Sequence, residues 1–315
     1  MSTRKLVDPQ LIPLLDAHPT ISLSPEFLPA LRSRPAMFEV DPADLGRTTL
    51  EVRSVPGGLN APEVEVLVYR PREASETLPC VLHIHGGGYV VGDARGNEAA
   101  HRKLTAELSC VIVSVNYRLA PETPFPGPLD DCYHALGWLF RNAEELGVDA
   151  ARVGVMGESA GGGLAAGLAL LARDRGEFRL TFQHLIYPMI DDRTCVAEEP
   201  HPYAGEFVWT PQSNAFAWQA FLGFKPGGEG VSPYAAAARA ENLVGLPPTY
   251  IATGALDLFV EENLEYSRRL IRSGVPTELK VYPGAFHGFQ WAAQSDVAKA
   301  AARDTHDALK RAMHG

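Results

Sequence analysis

Val153-Gly154-Val155-Met156-Gly157-Glu158-Ser159-Ala160-Gly161-Gly162-Gly163 decides how the rest of this chain is read. An apolar run enters the segment and a small-residue stretch, 164–172, leaves it, which reads as strand, turn and helix in succession. A serine at such a junction, with glycine two places before and two after, matches the G-x-S-x-G elbow. In that elbow a sharp turn exposes the hydroxyl above the sheet. Gly157 and Gly161 are expected because a side chain at either would collide with the neighbouring strand or helix. Gly162 and Gly163 carry the glycine run into the helix start, at about 1 kcal/mol of helix propensity each relative to alanine. Such a cost implies close backbone packing. Alone, the pattern also fits a glycine-rich loop with an incidental serine.

A second motif narrows the choice. The apolar run 79–84 is followed at once by His85-Gly86-Gly87-Gly88-Tyr89. An HGGG loop after a strand is the kind that supplies oxyanion-hole donors in lipases and esterases. Acyl transfer passes through a tetrahedral oxyanion, and backbone N–H groups must lie about 2.7–3.1 Å from it. Gly87 and Gly88, lacking Cβ atoms, can turn their amides toward such a site. A third donor is expected at the amide of Ala160, at the N-terminus of the helix after the elbow. His85 and Gly86 complete the loop.

A base and an acid are still needed, in the chain order Ser, Asp/Glu, His. The buried strand 248–255 runs into Asp257, and the strand 278–282 ends in Pro283-Gly284-Ala285-Phe286-His287-Gly288-Phe289. Asp257 and His287 therefore fall just past strand C-termini, the edge of a parallel sheet where sites form. His287 is expected to take the proton of Ser159 and return it to the leaving group, with Asp257 orienting the imidazole. Asp257 could equally cap the helix expected at 261–273. Glu261 or Glu262 is the alternative acid.

These segments together resemble the bacterial hormone-sensitive-lipase-like esterases, the family IV esterases of the α/β-hydrolase superfamily. Asn116-Tyr117-Arg118-Leu119-Ala120-Pro121-Glu122, Ser232-Pro233-Tyr234-Ala235 and Val281-Tyr282-Pro283-Gly284 add to the likeness, which covers about 48–290. Glu158 stands where most members carry Asp. The resemblance implies an α/β-hydrolase fold, a mostly parallel central sheet flanked by helices, with a helical cap. It places the cap in 1–46 and 191–231, and the core in 47–190 and 232–315. It also implies a small-molecule ester of short to medium acyl length as substrate, with water as co-substrate. It is compatible with a homodimer through the last strand or helix. An amidase, peptidase or lactone-type hydrolase could share the same residues. A non-catalytic binder on this fold is the reading from another class, and it is expected to lack the histidine that His287 supplies.

Composition limits the alternatives. The chain has 315 residues and 46% hydrophobic content, enough for one large core, and a net charge of −10. That charge argues against nucleic acid or an anionic membrane as partner. No long uncharged apolar run and no signal-peptide core are read, and four widely spaced cysteines suggest free thiols, so a cytoplasmic setting is expected. No C-x-x-C, H-E-x-x-H or strand-end G-x-G-x-x-G occurs, so neither a metal nor a cofactor is expected.

Strands expected at 63–69, 110–115 and 182–187, separated by helices at 98–108 and 129–145, argue for a doubly wound, mostly parallel sheet. Asp8-Pro9, Ser24-Pro25-Glu26 and Thr210-Pro211-Gln212-Ser213 read as helix starts. Within 191–231, Phe207, Trp209, Phe216, Trp218 and Phe221 make an aromatic-rich stretch. Phe207, Trp209 and Trp218, with Tyr89 after the glycine loop, are candidates for the substrate pocket. The competing expectation is that the aromatics only fasten the cap to the core. Arg118 and Glu122 are read as structural ion-pairing residues. Glu158 is expected to hydrogen-bond loop amides at the elbow, or else to favour the protonated form of a neighbouring imidazole.

Overall fold

The computed structural model describes residues 2–315 apart from 19–21, 35–36, 59–60 and 75. Parts of the segment expected to begin the cap, at 1, 19–21 and 35–36, thus lie outside the described residues. Among the described residues eight strands form one sheet. They are β1 (Thr48–Val55), β2 (Val64–Pro71), β3 (Leu78–Ile84), β4 (Val111–Asn116), β5 (Val148–Glu158), β6 (Gln183–Ile186), β7 (Thr249–Gly254) and β8 (Thr277–Tyr282). Their order is β1-β2-β4-β3-β5-β6-β7-β8. β2 pairs antiparallel with β1 and β4, and every pairing from β4 through β8 is parallel.

The helices are α1 (Ile12–Ala17), α2 (Leu28–Arg32), α3 (Pro42–Arg47), α4 (Glu98–Leu108), α5 (Gly127–Arg141), α6 (Ala160–Arg175), α7 (Pro211–Leu222), α8 (Val260–Arg272) and α9 (Asp296–His314). Alternate residues of β2 face opposite sides, as the two-residue period of a strand requires. Val66 and Val68 join one buried cluster with Leu136 of α5 and Leu164 of α6. Leu67 and Tyr69 join another with Leu108 of α4 and Leu309 of α9. With helices on both faces the inner strands have no polar side, and all seven residues of β3 are buried. α6 lies deepest, buried at every position from Ala160 to Ala172. Its alanines and glycines let it sit against the sheet at close range.

This is the α/β-hydrolase architecture, and the helix and strand boundaries follow the sequence reading closely. Departures have local causes. β5 begins at Val148, earlier than its apolar run, because Val148 already pairs with Leu78. The polar stretch 149–152 is then passed with a shift of register, and Arg152 pairs with Asp149 at 2.7 Å within it. The helix start at Ser24-Pro25 becomes a turn, and α2 begins only at Leu28. At Thr210 the expected cap forms, its hydroxyl accepting from the Ser213 N–H at 3.2 Å, a contact worth about 1 kcal/mol. β3, β5, β7 and β8 point the same way. The loops that follow them therefore share one edge of the sheet, and those loops carry His85–Gly88, Ser159, Asp257 and His287.

The core also sets how the fold responds to acid. His85, His101 and His184 are 3%, 1% and 2% exposed. Burial lowers the His85 imidazole to about 4 and that of His184 to about 3, and holds His101 well below its usual value. A depressed folded-state value means that the stability is present above the unfolded value near 6.5 and is lost as pH falls toward 4. Each such histidine contributes up to about 1.4 kcal/mol per pH unit in that window. The urea midpoint should therefore drop steeply between pH 6.5 and 4. His184 stacks on Tyr250 with ring centres 4.3 Å apart, so His184→Phe keeps the packing and should reduce the slope by one histidine's share. An equal slope in the variant would refute this source of acid lability.

Candidate active site

Ser159 occupies the turn between β5 and α6 with φ 54° and ψ −120°, a combination that L residues avoid unless the surroundings impose it. The surroundings are backbone. Its N–H donates to the Ile186 carbonyl at 2.9 Å, and its own carbonyl accepts from Gly163 at 3.0 Å and Met189 at 2.9 Å. Gly157 and Gly161 make the turn possible. A Cβ on Gly157 would lie 2.3 Å from the Gly161 carbonyl oxygen, and one on Gly161 would lie 2.0 Å from that of Ile84.

The His287 imidazole stands between the serine and Asp257. Nδ1 is 2.8 Å from Asp257 Oδ2 and Nε2 is 3.0 Å from Ser159 Oγ. Nδ1–H donates to the carboxylate, which leaves Nε2 to accept from the serine hydroxyl. Asp257 is fully buried, and its other oxygen accepts from the Phe259 N–H at 2.9 Å. Asp257 therefore turns the chain toward α8, but the helix itself begins at Val260. Hydroxyl, imidazole and carboxylate in series are what general-base activation of a nucleophile requires.

Glu262, the alternative acid, is engaged elsewhere. It accepts from the Ile190 N–H at 2.7 Å and bonds Thr194 Oγ1, and burial pushes its carboxyl well above the usual range. Glu261 is exposed on the first turn of α8.

The glycine loop flanks this series. Gly87 and Gly88 have φ of 115° and 61°, open to glycine and strained for other residues. Among the described residues nothing accepts from the N–H groups of Gly87, Gly88 or Ala160. His85 supports the loop from below. Its Nδ1–H donates to the Gly86 carbonyl at 2.8 Å, and its ring stacks on Tyr117, whose hydroxyl donates to the His85 carbonyl at 2.9 Å.

The aromatic candidates divide. Trp209 stands over Gly88, its ring edge 2.2 Å from where a Cβ would be, and 6.1 Å from the His287 ring. Phe207 packs edge-on to Phe286, the neighbour of His287. Tyr89 and Trp218 do not face a pocket. Both are fully buried, Tyr89 stacks on Phe221 at 3.9 Å, and its hydroxyl donates to the Met189 carbonyl at 2.9 Å. They fasten α7 to the core instead.

Two residues next to His287 are not among the site candidates read from the sequence. Tyr187 lies with its ring 4.5 Å away, and Phe259 meets the imidazole perpendicularly at 5.2 Å. Tyr187 follows the C-terminal end of β6, and that placement was the available signal.

One further expectation is corrected, and two charged residues find their partners. Glu158 bonds the side chains of His83 and Asn97 rather than loop amides. Arg118 and Glu122 do form ion pairs, though with Asp131 and Arg32 respectively. Those partners come from other elements, which a local reading of charge cannot supply.

The chain belongs to the α/β-hydrolase family, in its hormone-sensitive-lipase-like branch, and the family model for the alpha/beta hydrolase fold matches residues 81–291. A carboxylesterase of Mycobacterium tuberculosis, NlhH, is 34% identical over 98% of this chain and 97% of its own. An ethyl acetate hydrolase of Pseudomonas putida is 30% identical over 78% and 75%. Among solved structures, a bacterial heroin esterase superposes with a TM-score of 0.89 at 35% identity, covering all of both chains. Among the described residues no helix is long and apolar enough to cross a membrane, and no cluster of His, Cys, Asp or Glu could hold a metal ion.

Proposed function

We propose that the protein is a serine carboxylesterase hydrolysing esters of short to medium acyl chains through an acyl-serine intermediate. The observation that carries this is the unbroken series from Ser159 Oγ through His287 to Asp257, beside a glycine loop at the carboxyl edge of the sheet. Ser159 attacks the ester carbonyl while His287 Nε2 takes its proton. Asp257 holds the imidazole and stabilises its cation. The amides of Gly87, Gly88 and Ala160 receive the negative charge of the tetrahedral intermediate. The imidazolium then protonates the leaving alcohol. A water activated by the same nitrogen releases the acid and restores the serine.

The segments 1–46 and 191–231 serve as the cap on a core made of 47–190 and 232–315. Supporting this, Leu23 N–H donates to Ser213 Oγ at 3.1 Å and Thr3 Oγ1 to Glu206 at 2.6 Å. Ser159 and His287 are each 6% exposed, so the reacting atoms are enclosed and a small ester suits them. Trp209 and Phe207 border the space. The relatives' names, ethyl acetate hydrolase among them, point the same way. A homodimer through β8 or α9 and a cytoplasmic location complete the reading, from the resemblance and the cysteine content.

A series of 4-nitrophenyl esters from acetate to laurate, with a matched acyl anilide, tests the assignment. kcat/KM should be highest at short to medium chains and fall toward laurate, and the anilide should turn over far more slowly than its ester. A preference for laurate, or equal rates on ester and anilide, would contradict it.

A further inference from the structure

Beneath the Ser159 turn lies a polar group that the reaction above does not use. His83, on β3, is fully buried. Its Nε2–H donates to both carboxylate oxygens of Glu158, at 3.0 and 2.9 Å. Its Nδ1 lies 3.2 Å from Ser114 Oγ on β4. Asn97 Nδ2 donates to the same carboxylate at 3.3 Å, and the His101 ring meets the His83 ring edge-on at 4.2 Å. Burying the two ring nitrogens of His83 is unfavourable unless both are bonded, as they are here to Glu158 and Ser114. A charge-assisted bond adds what apolar filling lacks, a fixed length and direction.

Each partner is tied to one half of the site. Glu158 is bonded directly to Ser159. His83 precedes His85 by two residues, and the His85 loop carries Gly87 and Gly88. The two halves also touch, with the Glu158 carbonyl oxygen 3.0 Å from where a Cβ on Gly86 would be. A bond between Glu158 and His83 therefore spans from the nucleophile's strand to the oxyanion loop's strand, immediately below both turns.

We infer that Glu158 and His83 are positioning residues, a cross-brace that fixes the separation of Ser159 Oγ from the amides of Gly87 and Gly88. The inference rests on the serine-esterase reading. Its consequence is specific. The ester in its ground state gains little from that separation, whereas the tetrahedral intermediate needs nucleophile and donors at once. Losing the brace should lower kcat and kcat/KM together and leave KM unchanged.

Steady-state kinetics on a short-chain ester, together with phosphonate labelling of Ser159 in every variant, provides the test. Glu158→Ala and His83→Ala should each lower kcat by roughly 10–100-fold, the scale of an ångström-sized misplacement. The double variant should be no worse than the poorer single one, because one bond is lost once. Glu158→Gln keeps the length and an oxygen that accepts from Nε2–H, and should lose no more than about fivefold. Glu158→Asp keeps the charge but falls one methylene short, and should resemble the alanine variant.

Wild-type kcat in Glu158→Ala would overturn the brace, as would single losses that multiply in the double variant. An active Asp variant beside an inactive Gln variant would also overturn it, by assigning the role to charge. If the alanine variants do not fold, the Gln and Asp pair decides. Failure of the esterase reading looks different, because the wild-type chain would then neither hydrolyse the ester nor take the label.

Discussion

Ser159→Ala is expected to lower kcat on a short-chain ester by about 10⁴–10⁶-fold with little change in fold or KM. The magnitude follows from the arrangement. Without the hydroxyl no acyl intermediate forms, and the proton that His287 Nε2 accepts at 3.0 Å has no source. The glycine loop and the helix N-terminus remain, and donors of that kind alone sustain roughly 10³–10⁴-fold over water. The variant should therefore be very slow and still measurably above the uncatalysed rate. Stability should hold, because the serine's packing contacts run through its backbone bonds to Ile186, Met189 and Gly163. Active-site titration must accompany the measurement, since traces of wild-type enzyme imitate residual activity at this level. A loss of tenfold or less would mean that another group is the nucleophile.

Gly161→Ala is expected to damage stability and activity together. Its Cβ would lie 2.0 Å from the Ile84 carbonyl oxygen and 2.4 Å from that of His85. Both neighbours are backbone, so no rotamer change relieves the overlap. Inserting extra carbon into a packed interior costs about 1–3 kcal/mol and more where the surroundings cannot move. Here relief requires pushing α6 and the oxyanion loop apart, which carries Gly87 and Gly88 away from Ser159. A displacement of about 1 Å is worth roughly 100-fold in rate. Lower thermal stability and a fall in kcat should appear together. Gly176→Ala is a fitting control. A Cβ there meets nothing within 4 Å, although its φ of 67° carries its own strain. An alanine at 161 as stable and active as wild type would show that the two turns are not in rigid contact.

The parts of this site that were legible in the sequence are those where chemistry restricts residue type. Ser159 and the HGGG loop could be found because close backbone approach excludes side chains, so glycines mark the place. Asp257 and His287 could be found because parallel strands deliver their following loops to one edge. Where a side chain points was not legible. Tyr89 adjoins the glycine loop in sequence, yet its φ of 65° sends the ring inward to Phe221. The partners of Glu158, Arg118 and Glu122 arrive from other elements, and no local pattern announces them. The bounds of α9 are not legible in the sequence. Its buried face is largely alanine, at Ala298, Ala301 and Ala308, so its apolar contrast along the sequence is weak.

The central claim is that Ser159 is a nucleophile activated by His287 and Asp257. Peptide mass spectrometry of the chain after treatment with a fluorophosphonate tests it most directly. The account predicts one adduct per chain, on the peptide containing Ser159, with ester hydrolysis lost in step with labelling and no adduct in Ser159→Ala. An unmodified Ser159 peptide in a preparation that hydrolyses esters, or an adduct on a different residue that tracks the loss of activity, would contradict it.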